Sequence, residues 1–525
     1  MLDIFKKKPK IEEKEKLLFK INPSENITQL PDVTDRESFD VRYPLIPPYS
    51  YAHIFWDKPN NEMVYFVEEP KLDDSDKRTL NILEDSLKEL IDISFINIKE
   101  ENIVIEYLEK NIKILLNEFG MRITEDTLQR IMYYIYRDFV GLNEIEPIMK
   151  DYFIEDIECN GSQTPVYLVH RKYRNMRTNI VFSDNKKLAG FVEKLAQKSG
   201  KYVSYANPIL DGILPDGSRV NATYTQDISS RGPTFSIRKF TKEPWTPIKL
   251  IDSRTVSPEI LAYLWLLVEY ENNLMVIGAT ASGKTSFLNA ISFFIPPQAR
   301  IVSIEDTREL QLIHENWLPS VAREGVGLAS GKPHGEITIF ELLRESFRQR
   351  PDYVIVGEVR GQEAFVLFQA AASGHPMLST MHAEDVATMI RRLETPPINL
   401  PPSLVQSLDI VCVMSQAKVG KKMTRRLREI SEIIDVNATN FRINTPFLWD
   451  PRQDKFYFKT NSTILDRISV KHGISREQLN NEFRIRTKLL WAMYQNKIFG
   501  FKEVQDIINI YYKAPEQILK KFNII

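Results

Sequence analysis

The sequence predicts an α/β protein: a largely parallel sheet with helices on both faces, built around a phosphate-binding loop and preceded by an α+β module. Three observations point there. After about residue 245, apolar strand-like runs alternate with helical segments: LMVIG, KTSFLNAISFF, RIVSIED, DYVIVGEV, GQEAFVLFQAAASG, PMLSTMH, AEDVATMIRRLE and IVCVMSQA. Such alternation is the pattern of a parallel sheet buried on both sides. The first strand runs into GATASGKTS, Gly278 to Ser286, a glycine-bounded loop that opens a helix. Finally, 525 residues with 43% hydrophobic content exceed the needs of one ordinary core, so two or three domains are expected.

Residues 1–75 join a lysine- and glutamate-rich leader, MLDIFKKKPKIEEKEK, to aromatic strand-like pieces such as YAHIFW. They read as a mobile leader followed by a small folded element. Within 76–141, the runs LNILEDSLKELIDI, IVIEYLEKNIKILLNEF and TLQRIMYYIYRDFV carry apolar residues at helical spacing, with Gly120 and Thr124 between the last two. Three packed helices follow. Residues 142–245 switch to short alternating runs, IEDIECNG, PVYLVH, DGILPDGS, RVNATY and TFSIRKF, around a helix-like KKLAGFVEKLAQKSG. This is the pattern of an α+β domain. The proline-bearing EPWTPIKLIDSRTVSPE reads as a linker into the domain of residues 246–525, whose tail turns helical from about 462.

With 69 Lys and Arg against 70 Asp and Glu, the chain has no basic excess to hold a phosphate backbone, so nucleic acid is not an expected partner. Cys159 and Cys412 lie far apart and form no CxxC, which argues for a reducing compartment and against zinc. The N-terminal stretch lacks the apolar core of a signal peptide. The longest apolar run, Ile260 to Val268, is about half the roughly 20 residues needed to cross a bilayer. The expectation is a cytoplasmic protein that meets the membrane through a partner.

Gly278-Ala279-Thr280-Ala281-Ser282-Gly283-Lys284-Thr285 fits the phosphate-loop pattern, with a strand before it and a helix after. Glycines let backbone amides close on the phosphates, and the helix dipole favours their charge. Lys284 is expected at the β- and γ-phosphates, and Thr285 on Mg²⁺. Two acidic strand ends follow, IVSIED with Glu305 and VIVGEV with Glu358; in a doubly wound sheet such ends face the ligand. An isolated Glu-Asp pair is ordinarily a solvated turn, but two strands ending in carboxylates divide the labour of water activation and metal binding. Glu305 is taken as the water-polarising group and Glu358 as the metal-side carboxylate; the reverse stays open. In GHPMLSTMHAED, His375 and His382 flank a strand that spans roughly 23 Å. One of the two is expected to sense the γ-phosphate, and His382 is taken as the catalytic histidine.

GATASGKT, SIEDTRE, VIVGEVRG and GHPMLSTMHAED, in this order and spacing, resemble the secretion ATPases of type II secretion, type IV pili and archaella. IEDIECNG, LPDGSRVNAT and GPTFSIRKF upstream, and INLPPSLVQSLDIVCVM and RRLREISEIIDV downstream, resemble the archaeal branch. The resemblance implies a RecA-like ATPase domain, a homo-hexameric ring using ATP and Mg²⁺, and a polytopic membrane platform protein that feeds pilin-like subunits into a filament. It further implies arginine fingers from the preceding domain, matched by Arg219 and Arg238, with Arg231 a further candidate. Thr307 and Gly361 stand where many bacterial members carry proline and aspartate, and the four-cysteine zinc module is missing. All three favour the archaeal branch. The leader favours the archaellum motor over an adhesive pilus ATPase. A nucleic-acid translocase would need a basic, aromatic-lined pore, whereas the basic run Lys418 to Arg426 continues into RRLREISEII, which alternates like a solvated strand. A nonhydrolysing scaffold would not keep Lys284, Thr285, Glu305 and Glu358 together.

Overall fold

A computed structural model describes residues 19–21, 30–33, 35–90, 101–240, 243–323, 325, 328–329, 332–333, 335–420, 422–437 and 440–524. The leader, residues 1–18, and the end of the first helical run, residues 91–93, lie outside the described residues. The chain divides into two compact units, Met1–Thr241 and Lys242–Ile525.

The N-terminal unit is built on strands β1 (Asp40–Ile46), β2 (Ser50–Asp57), β3 (Glu62–Glu68), β4 (Ile154–Cys159), β5 (Pro165–His170), β6 (Arg174–Val181), β7 (Ile209–Ile213), β8 (Arg219–Thr223) and β9 (Thr234–Arg238). They form one sheet in the order β1-β2-β3-β6-β5-β4-β9-β8-β7. Residues 40–68, which read as a small element of their own, are therefore part of the same sheet as residues 154–238. The join is β3 lying parallel to β6, with Val64 opposite Arg177.

The three expected helices are α1 (Asp74–Leu90), α2 (Glu101–Glu118) and α3 (Glu125–Ile135). Thr124 caps α3 by accepting the Thr127 N–H at 3.2 Å. A short α4 (Glu146–Lys150) and the longer α5 (Asn185–Lys198) complete the unit. Leu83, Leu87, Leu108, Ile112, Ile131 and Leu188 are fully buried in one core with Ile54, Ile157 and Ile237 of the sheet. Just beyond α4, Asp151 ties this core together: the hydroxyls of Tyr43 and Tyr65 both donate to its Oδ2 at 2.6 Å.

The C-terminal unit contains β10 (Leu274–Gly278), β11 (Ile301–Glu305), β12 (Trp317–Val321), the short pair β13 (Leu328–Ala329) and β14 (Lys332–Pro333), β15 (Tyr353–Val359), β16 (Met377–His382), β17 (Ile410–Val419), β18 (Lys422–Val436), β19 (Phe441–Asp450) and β20 (Lys455–Phe458). Its main sheet runs β12-β11-β15-β16-β10-β17-β18-β19-β20. The first six strands are parallel, as expected; β18 to β20 extend the sheet antiparallel, which the strand–helix alternation did not foreshadow.

Alternation along β10 sorts the two faces. Leu274 and Val276 pack with α6 (Pro247–Asp252), α7 (Pro258–Glu269), α8 (Lys284–Ser292) and the tail helices α13 (Thr463–His472), α14 (Arg476–Gln495), α15 (Phe501–Lys513) and α16 (Pro515–Lys521). Met275 and Ile277 pack with α9 (Ile339–Ser346), α10 (Glu363–Ala372), α11 (Val386–Glu394) and α12 (Pro402–Val405). The apolar run Ile260 to Val268 is the buried body of α7, and among the described residues no helix is long and apolar enough to cross a membrane. At its centre, Trp265 stacks on Phe294 with ring centroids 5.1 Å apart and donates Nε1–H to the Tyr512 hydroxyl at 2.9 Å. Burying a side chain of that size stabilises the docking of α15 on α7 by about 2–3 kcal/mol.

RRLREISEII is not the solvated strand expected. It lies inside the sheet between β17 and β19, and Arg426 is buried, with its guanidinium clamped on Asp454 through Nε at 2.8 Å and Nη2 at 3.0 Å. The arginine pattern resembled a wet face because a paired buried arginine and an exposed one look the same in sequence.

Candidate active site

The parallel strands of the C-terminal unit end together, and their last residues build the site. β10 stops at Gly278, which passes so close to β17 that a Cβ there would stand 2.4 Å from the Met414 carbonyl oxygen. Ala281 and Gly283 then take left-handed conformations, φ +60° and +91°, turning the loop so that α8 starts at Lys284. Gly283 has no side chain to cap the helix, which leaves the first amides of α8, including those of Thr285 and Ser286, available to an anion. Ala279, Thr280 and Ala281 are exposed, Ser282 is buried, and Thr285 is partly exposed.

Lys284 is buried, and its Nζ donates to the Ala279 carbonyl at 3.0 Å while lying 3.4 Å from Nδ1 of His382. Burial lowers the ammonium pKa, against the pull of Glu358 and Glu309. His382 closes β16, and its Nε2 is 3.1 Å from Oε1 of Glu358. Burial and the Lys284 charge lower the imidazole pKa, so the ring is neutral at pH 7. Nδ1 faces the Lys284 ammonium, and Nε2 meets Oε1 of Glu358 as a close charge contact rather than a hydrogen bond, so Oε1 has no hydrogen-bond partner among the described residues. His375, before β16, stands against the Phe347 ring at 5.5 Å and takes no part.

The two carboxylates occupy different surroundings. Glu305 is 2% exposed; its Oε1 accepts the N–H groups of Glu309 and Leu310 at 2.9 and 3.0 Å, while its Oε2 has no hydrogen-bond partner among the described residues. Burial pushes its carboxyl up to about 7, against those two N–H groups. Glu358 is more open. Its Oε2 accepts Arg360 Nη2 at 2.6 Å, and Arg360 Nη1 reaches Asp306 at 3.2 Å. Four strand ends thus bring together Lys284, Glu305, Glu358 and His382.

Sequence reasoning missed three contributors. Arg360 neutralises the Glu358–Asp306 edge; its position two residues beyond Glu358, on the same side of an extended chain, was the available signal. Gln416 on β17 and Arg425 on β18 both donate to the Ala281 carbonyl, at 2.8 and 3.1 Å, pinning the left-handed residue of the loop. No sequence signal marked them, because only the antiparallel hairpin carries them to residue 281. The candidate fingers lie in the N-terminal unit: Arg219 and Arg238 are cross-strand neighbours, held by Asp211 at 3.4 Å and Asp156 at 3.0 Å. Arg231 sits in the exposed loop before β9.

The family model described as Type II/IV secretion system protein matches residues 141–449, from the N-terminal sheet through β19. The chain belongs to that family. As a type II/IV secretion system protein it is an ATPase. An uncharacterized protein of Methanocaldococcus jannaschii is 39% identical over 401 residues, covering 75% of this chain and 71% of that one. A second uncharacterized protein of the same organism is 45% identical over 253 residues, covering 48% of this chain and 92% of that one. Among solved structures, the VirB11 ATPase of the Brucella suis type IV secretion system, in complex with sulphate, is 22% identical with a TM-score of 0.28, covering 55% of this chain and 92% of that one.

Proposed function

We propose that this secretion-family ATPase is a hexameric motor that drives filament assembly through a polytopic membrane platform protein, and that the filament is an archaellum. The supporting observation is the convergence of Lys284, His382 and Glu358 within 3.4 Å of one another in turn, beside the buried Glu305. A nucleotide fits this site. Lys284 Nζ now satisfies itself on its own loop's carbonyl, and Glu305 Oε2 is a buried oxygen with no hydrogen-bond partner among the described residues; both are positions that a phosphate and its metal would complete.

In this reading Gly278 to Ser286 hold the phosphates through backbone amides, and Lys284 turns from the Ala279 carbonyl to the β- and γ-phosphates. Thr285 and Glu358 would hold Mg²⁺, which supplies charge neutralisation on the phosphate oxygens. Glu305, raised toward neutral pH and held by two N–H groups, takes a proton from the attacking water. His382 links Lys284 to Glu358 and reports γ-phosphate loss to β16. Arg219 and Arg238 supply positive charge to the transition state.

The test is steady-state ATP turnover together with nucleotide binding. Lys284→Ala loses both, and Glu358→Gln keeps binding while losing turnover; wild-type turnover in either variant defeats the assignment. The archaellum reading rests on the lysine-rich leader. It predicts that deleting the gene stops swimming and leaves surface adhesion intact, and the opposite phenotype would assign the protein to an adhesive pilus.

A further inference from the structure

The ladder between β15 and β16 breaks at one point. Val356 is paired with Ser379, and the next pair is Val359 with Met381. Gly357 and Glu358 therefore face a single residue, Thr380: a two-against-one bulge in a parallel pair. On the other side, pairing of β15 with β11 ends at Val356 opposite Ile304. The backbone of Gly357 and Glu358 has left both ladders, and something else must fix it.

That something is a side chain. Thr380 is 1% exposed, and its hydroxyl donates to the Gly357 carbonyl at 2.7 Å. Across the same peptide, a Cβ on Gly357 would stand 3.0 Å from Cγ and 3.5 Å from Cβ of Glu305. The bare glycine thus leaves room for Glu305 to lie over the bulge, and the bulge turns the next residue, Glu358, toward His382. We infer that Thr380 is a positioning residue of the ATPase site, whose hydroxyl holds the Gly357–Glu358 bulge and so keeps the two carboxylates in separate places.

The inference deepens the proposed site and rests on the roles given there to Glu305 and Glu358. Alternation along β16 puts Thr380 and His382 on one side. The strand therefore addresses Glu358 twice: Thr380 acts on its backbone and His382 on its carboxylate. Nothing else in the mechanism uses the Thr380 hydroxyl, and a buried valine of nearly the same volume would fill the position without it.

The test uses the full-length chain. Thr380→Val keeps the volume and removes the donor. Its kcat is expected to fall roughly 10- to 100-fold, the scale of an ångström-level misplacement of a reacting group, with KM within about twofold. Binding of a fluorescent ATP analogue in EDTA should be unchanged. Thr380→Ser, which keeps the hydroxyl, restores most of the turnover. Because Thr380 acts through Glu358, adding Thr380→Val to Glu358→Gln causes no further loss.

Unchanged kcat in Thr380→Val, failure of serine to restore it, or an additive loss in the double variant overturns the inference. Thermal unfolding is measured on each variant. Should Thr380→Val not fold, Gly357→Ala disturbs the same bulge from the Glu305 side and must give the same loss of kcat at steady KM. If Glu358→Gln itself turns over ATP normally, the underlying site assignment fails; if it is inactive while Thr380→Val is normal, only the bulge inference fails.

Discussion

Glu305 and Glu358 share a chemical group and differ in everything around it. Glu305 combines burial with an Oε2 that has no hydrogen-bond partner among the described residues, and its carboxyl is raised from 4.5 to about 7. A base of that pKa works close to neutral pH. We expect kcat/KM to rise with pH through about 7, and Glu305→Gln to lose both this limb and at least about 100-fold in turnover. The same shift bears on stability. A raised folded pKa means the fold prefers the protonated carboxyl, so its contribution is complete below 4.5 and is lost as pH rises through about 7. Glu305→Gln should therefore gain melting temperature over wild type at pH 8, with the gap closing as the pH falls toward 4.5. A pH-independent gap would remove Glu305 as the titrating group.

Among the elements, β18 carries the most that was unexpected. Besides Arg426 and Arg425 it places Glu432 at the centre of the C-terminal unit, fully buried. Its carboxylate accepts Tyr263 at 2.6 Å from α7, Asn444 at 2.8 Å from β19, and Ser462 and the Thr463 hydroxyl at 2.5 and 2.7 Å from the start of α13. Burial pushes the carboxyl up, but these donors outweigh it and hold its pKa below the ordinary value. Glu432→Ala leaves several buried donors unsatisfied and should cost at least about 2 kcal/mol, read as a shift in the urea midpoint. The sign with pH is opposite to that of Glu305: a depressed folded pKa gives stability above the ordinary 4.5 that is lost as pH falls through the folded value. Glu432→Ala should flatten that acid loss.

For the whole molecule, the candidate residues are split between the two units. The C-terminal unit holds the loop, both carboxylates and His382, while Arg219 and Arg238 belong to the N-terminal unit, on adjacent strands near one edge of its sheet. If these arginines serve the nucleotide, Arg238→Ala spares ATP binding and lowers turnover by about 10³-fold or more. Mixing it with Lys284→Ala, which keeps its arginines but has no working loop, should recover activity if the arginine acts on a neighbouring subunit. Turnover per chain should also rise with protein concentration as rings assemble. Activity that is linear in concentration and unaffected by mixing would favour a motor in which each chain is self-sufficient.

The sequence by itself determined the elements whose cause is local. Strand–helix alternation from residue 274 marked the parallel sheet, apolar spacing marked α1 to α3, and Gly278, Gly283 and Lys284 marked the loop because its backbone needs those residue types at that spacing. Lys284, Glu305, Glu358 and His382 were legible for the same reason, as they sit at strand ends. The tertiary structure alone decided that Arg426 is buried, that residues 40–68 extend the N-terminal sheet, and that Gln416, Arg425 and Thr380 attend the loop and the bulge. Each of these depends on pairing between strands far apart in sequence, and such pairing is selected by the burial of whole faces rather than by any local pattern.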